Sequence, residues 1–299
     1  MKWFIYIYLL SGFLSFLSAQ PQNPYVRTGS LGKKVTQEDT TSRDAFVFKP
    51  ISKWVGERFI FLPKPKSLQK YGYQGFYVDY DKYVGRIAKV ISVKESDYLP
   101  EVLFQMEDDG EKLSATAYSQ SIRDIAPVAD IDSARSRWLD KTLWYKKKDI
   151  VLYDEEKDEF LSIKVKKFTP LKVVDIVAGW YDHQPVRFIL QTPNGDEGFI
   201  DINLSGTNVS DILRDNSKFD EAFLTKDPRK IFNWSEKVWN AIEEEKVFVG
   251  MTSEQAKLSW GNPKSINRTH TGTSIHEQWV YGSGNYLYFE DGVLTTIQN

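Results

Sequence analysis

The sequence predicts a mainly β chain with a C-terminal α+β domain. Two small β-barrels are expected over residues 50–134 and 135–205, a connection over 206–234, and an α-α-β-β-β unit over 235–299. Three observations predict this. Apolar residues alternate along short runs that end in turn dipeptides, and the runs recur at one sequence offset. The last segment carries full helix punctuation ahead of three further alternating runs. There is no cysteine, so apolar cores alone must stabilise these units.

Two segments of a different kind come first. Lys2 supplies a positive start, Trp3 to Leu17 is apolar apart from Ser11, Gly12 and Ser15, and Leu17-Ser18-Ala19 places small residues before Gln20. This is the layout of a cleavable secretory signal over residues 1–19. The run is shorter than the roughly 20 residues of a spanning helix, and a retained anchor is the alternative. No later stretch approaches that length, so a mature chain without a transmembrane helix is expected. Residues 20–49 are polar, with Pro21, Pro24, Gly29 and Gly32, and read as a flexible leader. The expected location is outside the cytosol. A lipoprotein is not expected, because its acyl anchor needs a cysteine after the signal. Losing Lys2 takes 39 basic residues to 38 against 41 acidic ones, and the resulting net charge of −3 gives no attraction to nucleic acid.

Within the β-rich part, Trp54 matches Trp138 at an offset of 84. Val102, Phe104 and Met106 match Val186, Phe188 and Leu190 at the same offset, and Asp109-Gly110 matches Asn194-Gly195 at 85. Landmarks in the same order at one offset point to two copies of a structural unit. Each alternating run buries one face, and Asp-Gly or Asn-Gly tolerates the positive φ of a tight hairpin. In size and strand count the two copies resemble SH3-like barrels of the bacterial type. Within 206–234, a short helix is expected near Phe219 to Leu224 and another starting at Asp227-Pro228.

The C-terminal segment opens with Ser235, able to cap a helix whose Val238, Trp239 and Ile242 share one side. A second helix starts at Thr252, with Gln255 completing a capping box and Met251 and Ala256 at the hydrophobic staple positions. Gly261 ends it and Pro263 blocks its continuation. Three strands follow: Ile275 to Tyr281, Tyr286 to Glu290, and, after the Asp291-Gly292 turn, Val293 to Ile297.

The ordered set Gly250-Met251-Thr252, Gln255, Gly261-x-Pro263, Trp279-x-Tyr281 and Phe289-x-Asp291-Gly292 resembles the SmpA/OmlA (BamE-like) domain family. The resemblance covers residues 235–299. It implies the α-α-β-β-β fold and a role at the bacterial outer membrane, as an accessory lipoprotein of the β-barrel assembly machine. A related fold occurs in β-lactamase inhibitor proteins, which bind a protein partner through the sheet. This chain departs from the family in lacking the lipidated cysteine and in carrying residues 50–234 ahead of the domain. The motif residues are architectural and support a fold more than a job.

No catalytic or metal motif stands out, and no cofactor is expected. His270 and His276, with Glu277, form the one candidate metal set, but a surface hairpin accounts for them better. Asp182-His183 lies in an exposed loop without an identifiable serine partner, and Ser205 reads as a turn residue. Lys146-Lys147-Lys148 reads as a solvated turn. Tyr71, Tyr73, Phe76 and Tyr77 form the candidate binding surface, because exposed aromatic patches mark interfaces. Alternate members filling a core is the competing explanation. The chain is thus expected to be a non-enzymatic envelope protein binding a protein partner, in outer-membrane assembly or integrity. The second expectation is a peptidoglycan- or glycan-binding protein acting through the barrels.

Overall fold

The computed structural model describes residues 46–95 and 99–299. The signal segment and most of the leader lie outside the described residues. The described residues form three antiparallel sheets with short helices between them.

The first sheet contains β1 (Arg58–Phe61), β2 (Ile87–Lys94), β3 (Glu101–Met106), β4 (Lys112–Thr116) and β5 (Ile125–Pro127), in the order β4-β3-β2-β1-β5. Two single-turn helices, α1 (Lys66–Gln69) and α2 (Tyr80–Tyr83), fill the β1–β2 connection. Helix α3 (Val128–Trp138) then leads to the second sheet. That sheet contains β6 (Thr142–Tyr145), β7 (Asp149–Asp154), β8 (Glu159–Lys164), β9 (Pro170–Tyr181), β10 (Gln184–Gln191), β11 (Glu197–Ile202) and β12 (Phe223–Leu224). Its order is β12-β6-β9-β10-β11-β7-β8.

Neither sheet closes into a barrel, which corrects the expectation of two closed barrels. In the first sheet the last strand returns to pair with β1, leaving β4 and β5 as separate edges. In the second, the β7–β8 hairpin attaches beyond β11, where closure would have to occur. Alternation fixes which residues are buried but carries no information about which edges meet.

The recurrence seen in sequence has a counterpart in topology. The order β5-β1-β2-β3-β4 of the first sheet is repeated as β12-β6-β9-β10-β11 in the second. Trp54 and Trp138 each stand four residues before the first strand of their set. Val102, Phe104 and Met106 lie on β3 and Val186, Phe188 and Leu190 on β10, all buried. Gly110 and Gly195 turn the hairpins that follow, at φ 75° and 92°.

The two sheets share packing. Phe59, Phe61 and Ile125 point into one core with Trp54, Tyr73, Phe76 and Phe104. Ile60, Leu62 and Ala126 point the other way, into a second core with β6, β9 and β10. Helix α3 adds Val128, Ile131, Ala134 and Trp138 to that second core, a spacing that lines one helix face. Position 135 therefore lies inside a helix, and the second sheet extends to Leu224. Phe46, at the end of the predicted leader, stacks on Trp138 at 5.4 Å between centroids.

The C-terminal unit has α6 (Glu236–Glu243) and α7 (Ser253–Trp260), preceded by α4 (Phe219–Ala222) and α5 (Pro228–Ile231). Its sheet contains β13 (Ser265–Thr271), β14 (Ser274–Gly282), β15 (Asn285–Glu290) and β16 (Val293–Gln298), in sequence order. The expectation of three strands is corrected to four. All seven residues of β13 are exposed, so this polar edge strand carries no alternating signal. The helices cover one face through Trp239, Ile242, Met251 and Ala256, packed on Trp279, Leu287, Phe289 and Leu294.

Candidate binding surfaces

The predicted aromatic cluster divides. Tyr73 and Phe76 are buried and pack against Phe61, each at 4.9 Å between centroids. The Tyr73 hydroxyl donates to the Leu62 carbonyl at 2.8 Å, and burial pushes its phenol well above the usual range. These two side chains are structural, which corrects their placement on a binding surface. Tyr71 is 55% and Tyr77 95% exposed. The Lys70 ammonium lies 5.0 Å from the Tyr71 ring centre, and both tyrosines line a shallow cavity with Lys70, Gln74 and Asp79. Gly72 makes this loop possible: at φ 57°, a Cβ there would stand 2.3 Å from the Val78 carbonyl oxygen.

The motif residues of the C-terminal unit occupy caps, turns and core. Thr252 Oγ1 accepts from the Gln255 amide N–H and the Gln255 side chain accepts from the Thr252 N–H, closing the capping box. Met251 is fully buried, and Gly250 precedes it at φ 98°. Gly261 ends α7 at φ 84°, and Pro263 follows. The Tyr281 hydroxyl donates to the Gly261 carbonyl at 3.1 Å. Trp279 and Phe289 meet at 4.5 Å. Asp291 Oδ1 accepts from the Ile275 N–H at 2.8 Å, and Gly292 completes that turn at φ 79°.

With one face under the helices, the opposite face of this sheet is open. Pairing puts Asn267, Gln278, Tyr288 and the adjacent β16 residues on it. The Asn267 amide donates to Gln278 Oε1 at 2.9 Å, the Gln278 amide donates to the Tyr288 hydroxyl at 3.0 Å, and that hydroxyl donates to Gln298 Oε1 at 2.8 Å. One polar rung thus crosses all four strands. The sequence contained the signal, since 278, 288 and 298 occupy period-two positions of successive strands, but it could not supply the register.

Other candidates disperse. His276 is paired with Thr269 and His270 with Ile275, so the two imidazoles lie on opposite faces and cannot converge. No group of three metal-ligating side chains occurs among the described residues. Ser205 donates its hydroxyl to buried Asp130 at 2.8 Å and accepts from the Thr207 N–H, which is a turn-fixing role. Asp182 is raised by burial, and its Oδ1 is 3.5 Å from His183 Nδ1. On the second sheet, Arg187 is 1% exposed and forms a two-armed pair with Asp201, both bonds 2.7 Å, under Trp180 and Phe199.

Fold and surfaces together define a mainly β chain of three open antiparallel sheets, the last carrying two helices on one face and a free polar face on the other. Compared with known proteins, the chain matches no family model, no curated protein and no solved structure. Among the described residues no helix is long and apolar enough to cross a membrane.

Proposed function

We propose that this chain is an exported, non-enzymatic envelope protein that binds a protein partner at the periplasm or outer membrane, in assembly or integrity of that membrane. The ordered motif set from Gly250 to Gly292 supports a BamE-like unit at the C-terminus, here with an added edge strand. The observation that carries the partner reading is the polar rung Asn267–Gln278–Tyr288–Gln298 on the uncovered sheet face. An open face with hydrogen-bonded amides and a phenol offers donors and acceptors at low ordering cost, as partner-binding surfaces do. The recurring five-strand order supports a pair of SH3-like units ahead of it.

The test is capture from an envelope extract with the mature protein as bait. The expected result is one envelope protein retained by the wild type and lost with Gln278→Arg, while Thr252→Ala retains it. Equal capture by Gln278→Arg and wild type would remove the sheet face from consideration.

A second reading, binding of peptidoglycan or another glycan, is favoured by Tyr71 and Tyr77 alone, which present exposed rings beside Lys70. It requires co-sedimentation with peptidoglycan that Tyr77→Ala abolishes.

A further inference from the structure

A cleft of about 740 Å³ lies between the second sheet and the C-terminal unit. Lys146 and Lys147 enter it from the β6–β7 turn, Lys167 from the β8–β9 turn and Lys257 from α7. The expected solvated lysine turn is thus partly enclosed. Lys167 is only 7% exposed. Among the described residues the half-buried Lys146 ammonium makes one hydrogen bond, to the Asp220 carbonyl, and the buried Lys167 ammonium makes one, to the Ser259 carbonyl. An ammonium carries three N–H donors, so each keeps donors for a ligand.

Glu221, Glu245 and Glu254 also line the cleft. Glu245 is engaged by Lys148 at 3.1 Å and lies 3.9 Å from Lys167. Four lysines therefore line the cleft with three glutamates, one of which is engaged by Lys148 from outside it. Burial, against the pull of Glu245 and with Lys148 and Lys146 adding to it, brings the Lys167 ammonium down to about 8. Burial likewise lowers Lys146, against the pull of Asp220 and Glu221 and with Lys257 and Lys147 adding to it. An anion would relieve both desolvation and repulsion.

One wall is aromatic. Trp260 meets Tyr281 edge-on at 5.3 Å. The indole N–H donates to the Glu245 carbonyl at 2.8 Å and the Tyr281 hydroxyl to Gly261, so both rings are held.

We propose that this cleft binds an aryl phosphate monoester, its phosphate between Lys146 and Lys167 and its planar body against Trp260 and Tyr281. Two ammonium groups with spare donors match a dianion with several acceptor oxygens better than a single carboxylate. The site is separate from the open sheet face and does not rest on the partner reading.

The test is calorimetric titration of the full chain at neutral pH with phenyl phosphate, inorganic phosphate and benzoate. Phenyl phosphate is expected to bind most tightly. Lys146→Gln should weaken it about tenfold or more, a change of about 1.4 kcal/mol. Trp260→Leu should weaken phenyl phosphate while leaving inorganic phosphate unchanged. Lys257→Gln, an exposed substitution, should weaken both phosphates and covers the case in which Lys146→Gln does not fold. Absence of saturable phenyl phosphate binding, benzoate binding as tightly as phenyl phosphate, or unchanged affinity in the folded lysine variants would each overturn the proposal.

Discussion

Phe168, in the turn before β9, sets its ring edge-on against Trp239 of α6 at 6.1 Å between centroids, so a residue of the second sheet's turn sits in the C-terminal core. It does so at φ 63°, a left-handed conformation that a bulky side chain adopts only when its surroundings enforce it. Its N–H donates to the Tyr145 carbonyl at 2.6 Å, which fixes the turn.

Phe168→Ala removes this plug and leaves the unfavourable φ in place. The expected loss is about 3–5 kcal/mol, concentrated in the C-terminal unit. Hydrogen exchange should show protection falling first in α6 and β14. Uniform loss across all three sheets would contradict a local role.

Asp130 is raised by burial to about 6, with its hydrogen bonds from Ser205 and the charges of Lys218 and Lys49 pulling the other way. Its folded value lies above the unfolded one near 3.9. The folded state therefore binds the proton more tightly, and this group's contribution is full below about pH 4 and is lost as pH rises through about 6. The difference amounts to about 3 kcal/mol. Asp130→Asn keeps an acceptor for Ser205 without the charge. Its stability relative to wild type should rise between pH 4 and 7, as read from urea midpoints at each pH.

Removing one member of the enclosed Arg187–Asp201 pair leaves the other desolvated. Asp201→Ala should cost about 3–5 kcal/mol. Arg187→Met combined with Asp201→Leu should cost much less, because no charge is then left in the site. Denaturant unfolding of the two variants distinguishes them.

The capping box gives the mildest prediction. Thr252→Ala leaves the first turn of α7 without its side-chain acceptor and should cost about 1 kcal/mol. A shift in denaturation midpoint without a change in slope is the expected observation.

Local chemistry was legible in the sequence, and pairing was not. The capping box at Thr252, the stop at Gly261 and the turns at Gly110, Gly195 and Asp291-Gly292 are each decided within a few residues, and each falls where the sequence places it. Val102, Phe104 and Met106 reveal their buried face by alternation alone. Strand β13 escaped because an exposed edge imposes no apolar period, and β12 because two residues are too few to show one. The division of Tyr71, Tyr73, Phe76 and Tyr77 into core and surface depended on a loop whose path is set by Gly72 meeting Val78. The lysine cleft draws on residues more than a hundred positions apart, a distance over which spacing carries no information.

Strand β1 serves two cores at once, with Phe59 and Phe61 on one side and Ile60 and the following Leu62 on the other. Neither repeat can then be excised without stripping apolar side chains from its neighbour, so the pair should melt in a single cooperative transition rather than as beads on a string. A shared wall also limits where such a protein can diversify. Strands β1 and β5 are committed from both sides, which leaves the connections as the freer ground. The two repeats differ in what fills one equivalent link, where the first carries α1 and α2 and the second the β7–β8 hairpin.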